Sequence, residues 1–328
     1  MKEKKKFKVA LVQNPPVFLN LDASLLKAKA LIEKAVHCRA SMVVFPETWL
    51  PGYPIWLDNA KGAALWNHPG TKSLYRLLCQ NSLKIGSPQF HEMRTIAKEK
   101  KVHLVMGCHE IDGNTLYNTM IFFPANGLDV QIHRKIMPTY NEKMIWGQGD
   151  GSTLSTIESD FGTIGGLICW EHWMPLARAA MHAKKEVVHI AQWPSVIELH
   201  QMASRHYAFE GRCFVLACGC VLTKKNVLKG FDSLGLNEPE ARVMLNSIAS
   251  DDDHYLMSGG SCVIQPDASF LVEPKFYDET IIYAELAFDL IGESSMVMDT
   301  DGHYSRPDIF SLTIDTTPKK NVRFLTGK

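Results

Sequence analysis

The spacing of apolar positions changes period repeatedly along the chain. Alternation over 7–13 predicts a strand that ends at Asn14-Pro15-Pro16. Over 22–39, Leu25, Ala28, Leu31, Ile32, Ala35 and Val36 fall on one stripe and predict an amphipathic helix. A short apolar run at 42–45 predicts a buried strand that opens into a loop of prolines and aromatics, Pro46 to Pro54. Loop then helix is expected over 59–80, a second helix over 89–101 and a strand over 102–108. Asp112-Gly113-Asn114 and Asn126-Gly127 are hairpin signals that lead into strands over 115–123 and 128–134. Adjacent strand pairs between helices argue against a purely parallel sheet.

The second half repeats this order. The glycine-interrupted apolar stretch 162–168 predicts a buried strand, followed by a helix over 171–181 with Pro175 in its first turn. Strands are expected over 186–192 and 212–222, with a helix over 197–211 between them. The mixed pattern and acidic run of 223–255 predict a long surface insertion. Strands over 259–265, 270–272 and 280–286 close the pattern, and little beyond a short helix is expected after 288. Two similar halves imply two mixed sheets packed face to face with helices on their outer faces, in one domain.

Composition narrows the function classes. The 328 residues are 46% hydrophobic and 21% charged with no formal net charge, which is ample for a large core. Neutrality offers no support for a nucleic-acid or anionic-membrane partner. The basic start, Lys2 to Lys6, leads into no signal-peptide core, and no apolar run reaches membrane-spanning length. Eight scattered cysteines in such a chain are expected as reduced thiols in the cytoplasm. Cys218-Gly219-Cys220 lacks a second pair at zinc-ligand spacing and reads as strand core. The turn Trp146-Gly147-Gln148-Gly149-Asp150-Gly151 has neither a dinucleotide-binding nor a P-loop spacing.

Candidate chemistry gathers at strand ends. Cys169 stands between a strand and a helix start, where free N–H groups and the helix dipole favour a thiolate, although a free cysteine is also commonly a buried hydrophobe. Glu47 follows a buried strand and reads equally as a solvated loop acid; Lys135, past another strand, is one of many lysines and on its own reads as a solvated side chain. Brought together, thiol, carboxylate and ammonium supply a nucleophile, a proton-transfer group and a cation for developing negative charge. That set suits attack on an electrophilic carbon attached to nitrogen.

Several separated motifs resemble the nitrilase superfamily of carbon–nitrogen hydrolases, and specifically its true nitrilase branch. They are Phe45-Pro46-Glu47-Thr48-Trp49-Leu50-Pro51-Gly52-Tyr53-Pro54, His133-Arg134-Lys135-Ile136-Met137-Pro138-Thr139, Glu142 with the 146–151 turn, Cys169-Trp170-Glu171-His172 with Pro175-Leu176-Ala177-Arg178, and Gly302 to Asp308. The resemblance implies a four-layer α-β-β-α sandwich, with a hydrolase domain over 1–290 and a C-terminal extension over 291–328 in oligomer contacts. It implies Glu47 as general base, Lys135 as cation, Cys169 as nucleophile and Glu142 as a second carboxylate, with no metal or other cofactor. Tyr53, Trp146, Trp170, Trp193 and Pro194 stand beside these motifs as candidate pocket walls, with ordinary core packing the competing reading for each. The expected reaction is hydrolysis of an organic nitrile by water to a carboxylic acid and ammonia, in a homo-oligomer that in many microbial relatives is a spiral or filament. Amide or cyanide hydrolysis, or a catalytically idle assembly module, are the rival expectations.

Overall fold

The computed structural model describes residues 7–319 and 322. One sheet is built on three parallel strands, β1 (Phe7–Gln13), β2 (Met42–Val44) and β3 (His103–Asp112). β4 (Thr115–Phe123) and β5 (Gln131–Arg134) extend it antiparallel on one edge. The other edge is closed by β13 (Thr280–Leu286), in register with β1 from Phe7 opposite Leu286 to Gln13 opposite Thr280. The second sheet repeats the plan around parallel β7 (Gly162–Ile168), β8 (Glu186–Gln192) and β9 (Phe214–Cys218). Beside them lie β6 (Ile157–Ser159), β10 (Val221–Thr223), β11 (Tyr255–Ile264) and β12 (Phe270–Phe276), all in antiparallel pairs. The expected mixed sheets are therefore present.

Strand alternation assigns each face. In β1, Val9 and Leu11 join Met120, Phe122, Ile190 and Leu216 in the core between the sheets, while Ala10 and Val12 turn to the first helical layer. That layer holds α1 (Leu21–His37), the single turn α2 (Trp56–Asn59), α3 (Pro69–Gln80) and α4 (Pro88–Lys100). α5 (Pro175–His182) and α6 (Glu198–Gly211) cover the outer face of the second sheet. The result is the four-layer α-β-β-α sandwich.

Three expectations need correction. Residues 223–255 are not a surface insertion: α7 (Lys224–Asp232) and α8 (Pro239–Asn246) bury Val227, Phe231, Met244 and Leu245 in the first helical core. Their amphipathic stripes are short and separated by Gly235, so neither reaches the length at which helical period stands out. The strand expected over 212–222 is two strands broken at Gly219-Cys220. The helix expected over 171–181 is a 3₁₀ turn, Cys169–Trp173, followed by α5, because Pro175 has no N–H to continue a helix and drives Met174 into an extended conformation. After β13, α9 (Asp289–Ser295) leads to a tail that runs back along the 146–151 turn, where the Lys319 amide donates to Asp150 Oδ2 at 2.7 Å.

Candidate active site

Three strand ends converge. Glu47 follows β2 and Lys135 follows β5 in the first sheet, whereas Cys169 follows β7 in the second. Close backbone packing holds each approach. A Cβ on Gly107 of β3 would lie 2.1 Å from the Pro46 carbonyl oxygen and 2.7 Å from the Thr48 nitrogen, so only glycine lets the Glu47 loop lie on the sheet. Likewise a Cβ on Gly149 would stand 2.1 Å from the Arg134 carbonyl oxygen, and the Gly149 amide donates to the Lys135 carbonyl at 2.8 Å. The glycine-rich turn is thus a cradle for the backbone of Lys135.

The side chains meet in a sealed space: Glu47 and Lys135 are 1% exposed, Cys169 3% and Glu142 4%. Lys135 Nζ donates to Glu47 Oε1 at 2.9 Å and to Glu142 Oε2 at 2.7 Å. One carboxylate oxygen from each acid and Cys169 Sγ all lie within 4.8 Å of one another. That spacing would suit a metal ion, but the Lys135 ammonium, bonded to both acids, already supplies the cation there. Asn118 Nδ2 also donates to Glu47 Oε1, at 2.6 Å, whereas the buried Glu47 Oε2 takes no hydrogen bond from any described residue. Glu142 is held on both oxygens: Tyr53 Oη donates to Oε1 at 3.1 Å and the Thr139 amide to Oε2 at 2.6 Å.

Electrostatics follow from burial. Burial pushes the Glu47 carboxyl up to about 7, against the pull of the Lys135 ammonium and with a further push from Glu142. Burial also raises the Cys169 thiol well above its ordinary value; Glu47 and Glu142 push the same way, while Lys135 and the Trp170 N–H at its sulfur pull down. Lys135 loses hydration as well, yet the negative charge that Cys169, Glu47 and Glu142 carry when ionised outweighs that loss and holds it charged. The expectation of an easily ionised thiol is therefore corrected. The 3₁₀ turn that follows Cys169 is one short turn, and its positive end cannot offset burial beside two carboxylates.

Cys169 itself has φ +55°, a left-handed conformation that costs a non-glycine residue about 1 kcal/mol. Glu171 holds that turn. Its Oε2 accepts from the Ile168 amide at 2.6 Å and from His133 Nε2 at 2.8 Å, and its Oε1 accepts from the Ile136 amide at 2.7 Å. One carboxylate therefore ties the strand end bearing Cys169 to the strand end bearing Lys135. His133 Nδ1 faces the Thr153 carbonyl oxygen at 2.9 Å, so both ring nitrogens donate and the imidazole is a cation. Although burial opposes it, the Glu171 charge raises His133, and His133 in turn lowers Glu171.

The aromatic candidates separate by environment. Tyr53 and Trp146 meet edge to face at 5.9 Å, and Trp146 lies 5.6 Å from Lys135 Nζ. Trp146 Nε1 donates to His109 Nδ1 at 3.0 Å, which leaves His109 Nε2 to donate to the Gly52 carbonyl. Trp170 is 44% exposed on the 3₁₀ turn. Trp193 is fully buried between the rings of His172 and His200 and donates to Ser204 Oγ, a core-like setting. Pro194 is half-buried, with its carbonyl accepting the Cys220 amide. Gly302 to Asp308 lies in the exposed tail, where Arg306 forms a fork with Asp308. The contacts of Asn118, His133 and Glu171 were not foreseen. A polar Asn118 inside the apolar run 116–123 was the available signal for one of them.

The family model for carbon-nitrogen hydrolases matches residues 8–295. The chain is 36% identical to an aliphatic nitrilase of Sinorhizobium fredii (strain HH103), over 97% of this chain and 98% of that one. It is 35% identical to Nitrilase 3 of Arabidopsis thaliana, over 97% of this chain and 90% of that relative. Among solved structures, a CN-hydrolase superfamily protein of Xanthomonas campestris superposes with a TM-score of 0.67 at 16% identity, covering 95% of this chain and all of the other. The NitFhit protein of C. elegans gives 0.67 at 14% identity, covering 96% of this chain and 69% of that one, and both share the fold. With a matching family model over most of its length and relatives above 30% identity throughout, this chain belongs to the carbon–nitrogen hydrolase family.

Proposed function

We propose that the protein is a nitrilase, converting an organic nitrile and two waters to a carboxylic acid and ammonia. One observation carries the reading: a buried thiol shares a sealed space with two carboxylates and the ammonium that bridges them. Relatives that match nearly the whole chain are named nitrilases and aliphatic nitrilases.

The buried thiol is protonated at rest, so turnover begins with a base. Glu47 Oε2 carries an uncommitted lone pair and, with its pKa near 7, is ionised in about half of molecules at neutral pH. It takes the Cys169 proton, the sulfur adds to the nitrile carbon, and the proton passes to nitrogen to give a thioimidate. Negative charge developing on nitrogen is met by the Lys135 ammonium and the Trp170 N–H. Glu47 next removes a proton from water as its oxygen adds to the same carbon, and the nitrogen leaves as ammonia. A second water cleaves the resulting thioester to the acid and restores the thiol. Glu142, fixed by Tyr53 and Thr139, keeps Lys135 charged and in place.

We place the enzyme in the reducing cytoplasm as a homo-oligomer. Its described cysteines are all free thiols, and no described helix is long and apolar enough to cross a membrane. Exposed apolar side chains, Leu176 and Met202 as well as Phe310 and Ile314 of the tail, favour contacts between copies, including a spiral or filament. Purified protein supplied with aliphatic, aromatic and arylacetonitriles should release ammonia and acid, and Cys169→Ala should release none. Turnover of amides alone would make it an amidase, formate or formamide from cyanide a cyanide-hydrolysing enzyme, and no turnover of any of these an assembly module.

A further inference from the structure

From the Cys169 backbone carbonyl, four buried polar side chains connect one to the next behind the second sheet's strand ends. His172 Nδ1 lies 2.8 Å from the Cys169 carbonyl oxygen, and His172 Nε2 lies 3.0 Å from His189 Nε2. His189 Nδ1 lies 3.0 Å from both oxygens of Glu186, and Tyr207 Oη donates to Glu186 Oε2 at 2.5 Å. All four side chains are buried, and a Cβ on Gly165 would stand 2.0 Å from Glu186 Oε1, so β7 leaves room for this carboxyl. None of the four touches the reacting groups.

The carbonyl at one end dictates the rest. A carbonyl only accepts, so His172 Nδ1 carries a proton; with a neutral ring its Nε2 then accepts. His189 Nε2 must therefore donate, and with a neutral ring its Nδ1 accepts in turn. Only a protonated Glu186 can donate to it. Burial supports each assignment: it holds His172 down to about 3, keeps His189 well below its ordinary value and lifts Glu186 to about 8. Around Glu186 stand Tyr207 of α6, His182 of α5, Lys184 and His189. Lys185, Glu210, Arg212 and Asp301 join it around a 260 Å³ cavity on the outer face. The line cannot relay a proton to the reaction, because it ends on a carbonyl. What it can do is hold a peptide plane.

We infer that Tyr207, neutral Glu186, His189 and His172 form a one-directional hydrogen-bond chain that locks the Cys169–Trp170 peptide, making them positioning residues for the nucleophile turn. A trans peptide is planar, so gripping its C=O aims its N–H the opposite way. That N–H belongs to Trp170, which pulls the Cys169 thiol down and, in the proposed reaction, meets the charge that develops on the nitrile nitrogen. The grip also maintains the left-handed φ of Cys169. The inference rests on the nitrilase reading for its effect on rate, but its proton assignment does not.

Glu186→Leu removes the donor and Glu186→Gln keeps one, with a carbonyl left for Tyr207. Expected is a fall in kcat of about 10- to 100-fold in Glu186→Leu with KM within about twofold, as for a misaimed backbone donor. Glu186→Gln should stay within about threefold of wild type. Wild-type kcat in Glu186→Leu, or equal losses in both variants, would overturn the inference, the second because it would require a carboxylate. Imidazole ¹⁵N spectra of the labelled wild type give a reading independent of turnover and of whether Glu186→Leu folds. One proton on His189, at Nε2, supports the chain, and a doubly protonated His189 overturns it. A wild type inactive on every nitrile would instead end the functional reading, with the imidazole spectrum still deciding the chain.

Discussion

Glu47 Oε1 is committed to Lys135 and Asn118, so everything the carboxylate does as a base passes through Oε2. Its pKa near 7 sets where that base works. The proton must be off Glu47 before the thiol can give its own, so kcat/KM should rise with pH through about 7 and level above it. An ordinary exposed carboxylate would place that rise near 4.5, and finding it there would remove Glu47 from the role. Glu47→Gln keeps the shape and the bonds from Asn118 and Lys135 but loses the base. Its kcat should fall by roughly 10²–10⁴-fold with an unchanged fold by circular dichroism. Tyr53→Phe tests the second acid: without the phenol on Glu142 Oε1 a modest loss in kcat is expected, whereas a full loss would put Tyr53 in the chemistry itself.

Among elements, the strand ends matter less than what holds them together. Glu171 spans from the amide of Ile168 to that of Ile136 and pairs with the buried His133 cation. Removing one partner of such a pair strands the other, which costs about 3–5 kcal/mol. Glu171→Ala should therefore lower the thermal midpoint by several degrees and depress activity together, and a melt identical to wild type would refute the staple. Gly107→Ala should do the reverse, displacing the Glu47 loop and costing activity out of proportion to stability. These relations explain what could be read from sequence. Glu47, Lys135 and Cys169 were legible because each follows a short apolar run whose end is a local pattern. The Glu171–His133 pair was not, since its members are 38 residues apart and only burial gives the contact its meaning. The helix expected over 171–181 failed because Pro175 opens α5 instead of sitting inside a longer helix. Residues 223–255 failed because two helices of nine and eight residues are too short for their period to stand out and resemble a loop until the layer beneath them is known.

For the whole molecule, the buried titratable groups act in opposite directions as pH changes. His109, His172 and His189 are held neutral by burial, so below about 6.5 an unfolded chain, whose imidazoles take up protons freely, gains on the folded one. Glu47 and Glu186 are raised, to about 7 and about 8, so their contribution is complete only below the ordinary carboxylate range and fades as pH climbs through those values. His133 is raised too and fades in the same sense. Carboxylates held low, such as Glu210 at about 2, matter only in acid. Between pH 6.5 and 8 the unfolded imidazoles are losing their protons, and the decline from Glu186 and Glu47 dominates. Stability should therefore peak close to pH 6.5 and fall by on the order of 1 kcal/mol toward pH 8, the recovery from the three histidines offsetting about half of the decline. Glu186→Gln removes the larger share, so its thermal midpoint should change less than wild type over that range. A variant whose midpoint still falls as steeply from pH 6.5 to 8 would mean that Glu186 is already ionised in the fold, and the same result would break the hydrogen-bond direction inferred from the Cys169 carbonyl.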